Sequence, residues 1–150
     1  MTDLTPTTTT ALRVAITNAI AACEPRIQTR AAGPWIPTER RPAGVNGTRV
    51  FTISFEPQGY TPGGIYSLGR YDCTTILQVV TSYQVPEGDS EIIEDDALQL
   101  REVILSLRDG ANGIITIDYT GTVVEEQESS DAVLVAHTYA LRYLRATEVD

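Results

Sequence analysis

Between residues 10 and 23 the apolar side chains Leu12, Ala15, Ile16, Ala19 and Cys23 return at helical spacing. Threonines at 7–10 supply hydroxyls for an N-cap, and Pro25 ends the run. The pattern predicts an amphipathic helix, with core packing on one side. Its other side (Val14, Thr17, Asn18, Ala21) is small and weakly charged, which leaves room for a partner contact as well. The period then changes to two. Over 49–56, Phe51, Ile53 and Phe55 alternate with Val50, Thr52 and Ser54, and over 71–83, Tyr71, Cys73, Thr75, Leu77 and Val79 share one side. Two strands are predicted, joined through 57–69. That segment carries Gly59, Pro62, Gly63, Gly64 and Gly69 and is too long for a tight turn, so it reads as an extended hairpin tip.

A second helix is predicted after Pro86. Ser90 is its N-cap, and Glu91, Glu94, Asp95 and Asp96 sit near the positive end of its dipole as surface charges. The stripe Ile93, Ala97, Leu100, Ile104 and Leu107 faces the core, and Gly110 caps the end. Two more strands follow at 114–119 and 133–145, separated by the acidic loop 125–131. The last carries Val133, Val135, His137, Tyr139, Leu141 and Tyr143 on one face. Helix, strands, helix, strands is the order of an α+β fold. It predicts one domain over 1–150, with a mostly antiparallel or mixed sheet and both helices packed on it. Residues 31–47 hold Gly33, Pro34, Pro37, Pro42, Gly44 and Gly47 around Trp35 and the pair Arg40-Arg41. This stretch reads as a long irregular excursion, either a surface loop anchored by Trp35 or a partner-binding arm.

Composition adds limits rather than elements. A chain of 150 residues buries enough surface to fold as one domain without a disulfide or metal. Cys23 and Cys73 are its only cysteines, and their separation fits two free thiols in a reducing compartment. The N-terminus has neither the charged nor the apolar region of a signal peptide, and no apolar run approaches a membrane span, so synthesis in the cytoplasm is expected. The net charge of −9 weighs against nucleic-acid or anionic-membrane binding over most of the surface. The charge is uneven. Residues 1–86 carry five acids against seven arginines, a net +2, whereas 87–131 carry thirteen acids against two arginines, a net −11. Such segregation suits a head-to-tail contact between copies, or simply solvates an exposed helix and loop.

The residue types that carry catalysis are thin. His137 is the only histidine and sits among alternating apolar residues, where a hydrogen-bonded core role is the ordinary one. Ser67 lies in no nucleophile elbow, and the glycines form no phosphate-binding loop. The carboxylates Glu94, Asp95 and Asp96 point around a helix rather than to one point. No enzyme activity, metal or cofactor is expected. Tyrosines dominate the aromatics and suit interfaces.

The leading helix, the strand pair from Asn46-Gly47-Thr48-Arg49-Val50-Phe51 and Arg70-Tyr71-Asp72-Cys73-Thr74-Thr75, the helix Ile92-Ile93-Glu94-Asp95-Asp96-Ala97-Leu98 and the closing His137-Thr138-Tyr139-Ala140-Leu141-Arg142-Tyr143 together resemble the tail terminator, or tail completion, proteins of long-tailed bacteriophages. The resemblance covers about Thr10 to Arg145 and rests on element order and texture. It implies a virion protein whose copies form a ring, a hexamer in that family. The ring caps the tail tube, stops its elongation and joins the head-tail connector, with tube protein and neck protein as partners; the acidic charge adds the expectation of no membrane and of DNA passing without specific binding.

With such assembly in view, the candidate interface residues are Trp35, Arg40, Arg41, Tyr60, Tyr66, Glu94, Leu98, Arg101 and Leu105. Leu98 and Leu105 lie seven residues apart, off the apolar face of the second helix, and are expected to be exposed in the isolated subunit. Glu125, Glu126 and Glu128 are the candidate lumen-facing acids that would repel phosphate. Two other readings stay open. One is a different neck or head-tail adaptor protein of the same particle. The other is a small-molecule-binding or isomerase-type domain in which His137, Tyr139 and Asp118 line a pocket.

Overall fold

The computed structural model describes residues 7–28, 33–40, 49–62, 70–83, 90–108, 113–126 and 133–146. The chain is α+β, as its period changes imply, with a five-stranded mixed sheet and two helices. Helix α1 spans Thr9–Ala21, and the Thr8 hydroxyl accepts the Ala11 N–H at 3.1 Å as N-cap. Strand β1 (Trp35–Pro37) and a turn of 3-10 helix (Thr38–Arg40) lead to β2 (Arg49–Pro62) and β3 (Arg70–Tyr83). Helix α2 (Ser90–Leu105) then crosses to β4 (Ile114–Glu126), and β5 (Val133–Ala146) closes the chain.

The strand order is β1-β2-β3-β5-β4. Only β1 runs parallel to its neighbour; β2–β3, β3–β5 and β4–β5 are antiparallel. Because strand side chains alternate, register decides which of them meet the helices. Phe51, Ile53, Leu77, Val79, Tyr139, Leu141 and Ile117 share the covered face with Leu12, Ile16 and Ile20 of α1 and Leu100 and Ile104 of α2. A smaller cluster forms beside this main core from Tyr83, Ile92 and Val135, with Ile27, Ile93 and Val133 against it.

Several expectations change. Residues 35–40 of the supposed excursion are ordered: Trp35 is the first residue of β1, and the Arg49 N–H donates to Pro34 O at 2.9 Å. Strand β2 does not stop at Glu56 but continues to Pro62 through a bulge at Pro57/Gly59. Glycine and proline signal a break only where both strand edges need hydrogen bonds, and β1 covers just the first residues of β2, leaving the rest as an edge that tolerates proline. Likewise β4 runs past Tyr119 to Glu126, so Glu125 and Glu126 lie on a strand rather than in a loop. It bends at Gly121, whose φ of +154° only glycine adopts readily. Thr17, assigned to the outer side of α1, is buried. The expected cap Gly110 lies outside the described residues.

Candidate assembly surface

Trp35 does not belong to an exposed interface. It is 3% exposed and packs edge-on against Phe51, ring centroids 6.2 Å apart. The Arg49 guanidinium lies over the Trp35 ring, 5.6 Å from its centroid. Of the two alternatives for this tryptophan, the structure has the core anchor.

Arg49 is the centre of the least expected feature. Its side chain is fully buried, with Nε donating to Asp96 Oδ2 at 2.5 Å and the guanidinium also donating to Gly33 O and Ile27 O. The Tyr83 hydroxyl donates to the same carboxylate oxygen at 2.7 Å. Asp96 is therefore no surface charge. Burial raises its carboxyl above the ordinary range, while the Arg49 and Tyr83 hydrogen bonds pull it down. The same burial, with the Asp96 charge, pushes the Tyr83 phenol well up.

The pocket reading fares differently from residue to residue. His137 and Tyr139 are wholly buried on the covered face, whereas Asp118 is exposed and pairs with exposed Ala140 on the opposite face. Register thus separates Asp118 from the other two. His137 Nδ1 meets Thr122 Oγ1 at 3.0 Å, and that hydroxyl also meets the Tyr119 hydroxyl. Burial lowers the imidazole to about 4. Among the described residues no three histidine, cysteine or acidic side chains cluster to hold a metal, and Cys23 and Cys73 are not joined in a disulfide. No described helix is long and apolar enough to cross a membrane.

The two edges of the sheet are treated unequally. At β2, β1 pairs with 49–51, the Thr38 hydroxyl donates to Phe51 O at 2.9 Å, and Arg13 donates to Ile53 O while lying over the Phe55 ring. Side chains thus occupy acceptors that another strand would use. Among the described residues strand β4 pairs only with β5, and its far end carries Val123 and Val124 at 58% and 49% exposure, followed by exposed Glu125. An open edge ending in apolar residues is a place where another chain can add.

The remaining candidates scatter around this surface. Arg101 is exposed and lies over the Tyr119 ring at 5.4 Å, tying α2 to β4. Arg40 is exposed and donates to Asn18 Oδ1 at 3.0 Å, and Glu94 is exposed on α2. Tyr60 and Glu126 lie on β2 and β4 with side chains outside the description, and Arg41, Tyr66 and Glu128 lie outside the described residues. Leu98 is 56% exposed, but Leu105 is half-buried against the main core, which corrects the expected exposed pair. Leu105 packs against the main core although it lies far from the centre of the apolar stripe. Leu98→Ser should accordingly change stability by no more than about 0.5 kcal/mol, while Leu105→Ser costs roughly 1–3 kcal/mol. Urea unfolding of the two variants separates them, and equal losses would contradict this placement.

Sequence reasoning missed β1, the length of β4 and the Arg49–Asp96 pair. Only the pair left a signal: both charges fall at core-facing positions of otherwise apolar patterns. The sequence matches no protein-family model, and no curated protein matches it.

Proposed function

We propose that this chain is a non-enzymatic structural subunit of a long-tailed phage particle, of the tail-terminator kind, whose copies form a ring that caps the tail tube and joins the head connector. The observation that carries this reading is the open edge of β4, with Val123 and Val124 exposed beside Glu125, on a sheet whose other edge is blocked over its described start. The α+β element order that resembles tail terminators supports it. A ring needs two different patches on each copy, one meeting the other on the next. The end of β4 supplies the first, and the exposed Val14 of α1 and Leu98 of α2 are the apolar candidates for the second. Tail tube and neck proteins are the further partners, the assembled virion is the location, and the acids along 87–131 let DNA pass without adhering.

Native mass spectrometry with negative-stain imaging tests this reading. Wild-type protein should form rings, free or on tail tubes, and the paired change Val123→Lys with Val124→Lys should abolish them while leaving the melting temperature within about 2 °C. Rings that persist in this variant would remove β4 from the interface. A compact monomer under every condition, tubes included, would overturn the assembly role.

A further inference from the structure

Both helices lie on one face of the sheet: α1 packs over β1 and β2, and α2 lies beside it and reaches β4. Among the described residues no helix covers the other face. Strand alternation places Thr52, Val80, Ala136 and Val123 there, paired in one row across β2, β3, β5 and β4. Leu134 adjoins this row, which carries no charge and ends on the exposed Val123. Among the described side chains of this face, charges stand only around the row. Glu125 lies opposite Leu134, Asp118 opposite Ala140, Glu56 opposite Ile76 and Arg142 opposite Thr74, three acids against one arginine.

Helix α1 presents the complementary surface. It contains Arg13 and no acid. Ala11, Val14 and Asn18 share one exposed side at helical spacing, turned away from buried Leu12, Ile16 and Ile20. The hydrogen bond from Arg40 to Asn18 Oδ1 holds a second guanidinium at this side, and Arg13 is exposed next to Val14. Glu39, beside Arg40, is exposed too, so the patch holds two arginines against one acid. Leu98 on α2 fails the same comparison. Around it stand Glu94, Asp95 and Glu102 with Arg26 and Arg101, and this acidic majority repels the acids of the bare face.

We propose that the bare sheet face is the seat of α1 from a second copy, with Val14 laid against Val123 and Ala136 and with Arg13 and Arg40 meeting Glu125. The contact rests on the ring reading above and names the second patch that a ring requires. It repeats the helix-on-sheet packing that the chain uses within itself. Within one copy α1 lies on the covered face at the β2 side, and Val123 lies on the bare face at the β4 side, so the two patches cannot meet each other. Each copy therefore gives a helix to one neighbour and accepts one from the next, the heterologous contact from which rings close. The opposed charges fix its register.

Cysteine cross-linking and a charge exchange test the contact, read on non-reducing gels, by native mass spectrometry and by negative-stain imaging. In a Cys23→Ser background, a mixture of Val14→Cys and Val123→Cys copies should form a disulfide-linked pair that neither variant forms alone. Arg40→Glu and Glu125→Arg should each weaken association about tenfold or more, and the chain carrying both should regain it. Rings that form in the wild type and persist in both charge variants, with no cross-link in the mixture, overturn this contact and leave the ring reading standing. A cross-link in Val123→Cys alone shows bare face against bare face and overturns the contact as well. Wild-type protein that forms no oligomer, tail tubes included, overturns both.

Discussion

Asp96→Ala should cost the fold about 3–5 kcal/mol, the largest loss expected from any single substitution in the described core. The change leaves the Arg49 guanidinium buried without its counter-charge and the Tyr83 hydroxyl without its acceptor. Removing both charges is a different matter. The double change Arg49→Met with Asp96→Leu leaves no naked ion, and apolar replacement of a buried pair is often near neutral. It should therefore recover most of the loss, short of the amount owed to Gly33 O and Ile27 O, which lose their donor. Guanidinium unfolding of the wild type and the variants measures all three. A loss under about 1 kcal/mol for Asp96→Ala would mean that water reaches the pair.

Acid should weaken the protein through His137. The unfolded histidine takes a proton near its ordinary value of 6.5, and the folded one, dehydrated by burial, only near 4. Between those values the unfolded chain binds more protons, so stability falls as pH drops from about 6.5 and the full loss, about 3 kcal/mol, is reached below about 4. Asp96 works the other way. Its raised carboxyl binds protons more readily folded than unfolded, which offsets part of the loss at the acid end. A His137→Gln variant isolates the histidine contribution: its stability between pH 7 and 4 should fall by less than that of the wild type, and parallel profiles would remove His137 as the cause.

The buried pair was within reach of the sequence. Arg49 alternates with Phe51, Ile53 and Phe55, and Asp96 stands four residues from Ile92 and four from Leu100. Each is a charge at a core position, and a core holds such a charge only when an opposite one meets it. What hid the pair was the local reading of Asp96 as one acid among Glu94 and Asp95 near a helix N-terminus. The hydrophobic periods located α1, α2, β3 and β5 because burial on one face imposes them. They did not locate β1, whose three residues show no period, nor the far halves of β2 and β4. Pro57, Gly59 and Gly121 break the alternation there, at the register shifts of the two strands. Of the surface candidates, Leu98 was legible as an apolar residue off its stripe. Val123 and Val124 were not, because adjacent valines fit a buried strand as well as a protruding one.

The unequal edges of the sheet also bear on how the molecule can misassemble. Fibres that grow by strand addition require each molecule to present two receptive edges, so that every addition restores a growing end. β1, Thr38 and Arg13 close the β2 side over 49–53, and the Pro57/Gly59 bulge interrupts the stretch beyond it, so a copy that pairs through β4 leaves no equally regular edge behind it. Extension into cross-β aggregates is thereby slowed, and a chain stripped of the Arg13 and Thr38 contacts would lose that brake.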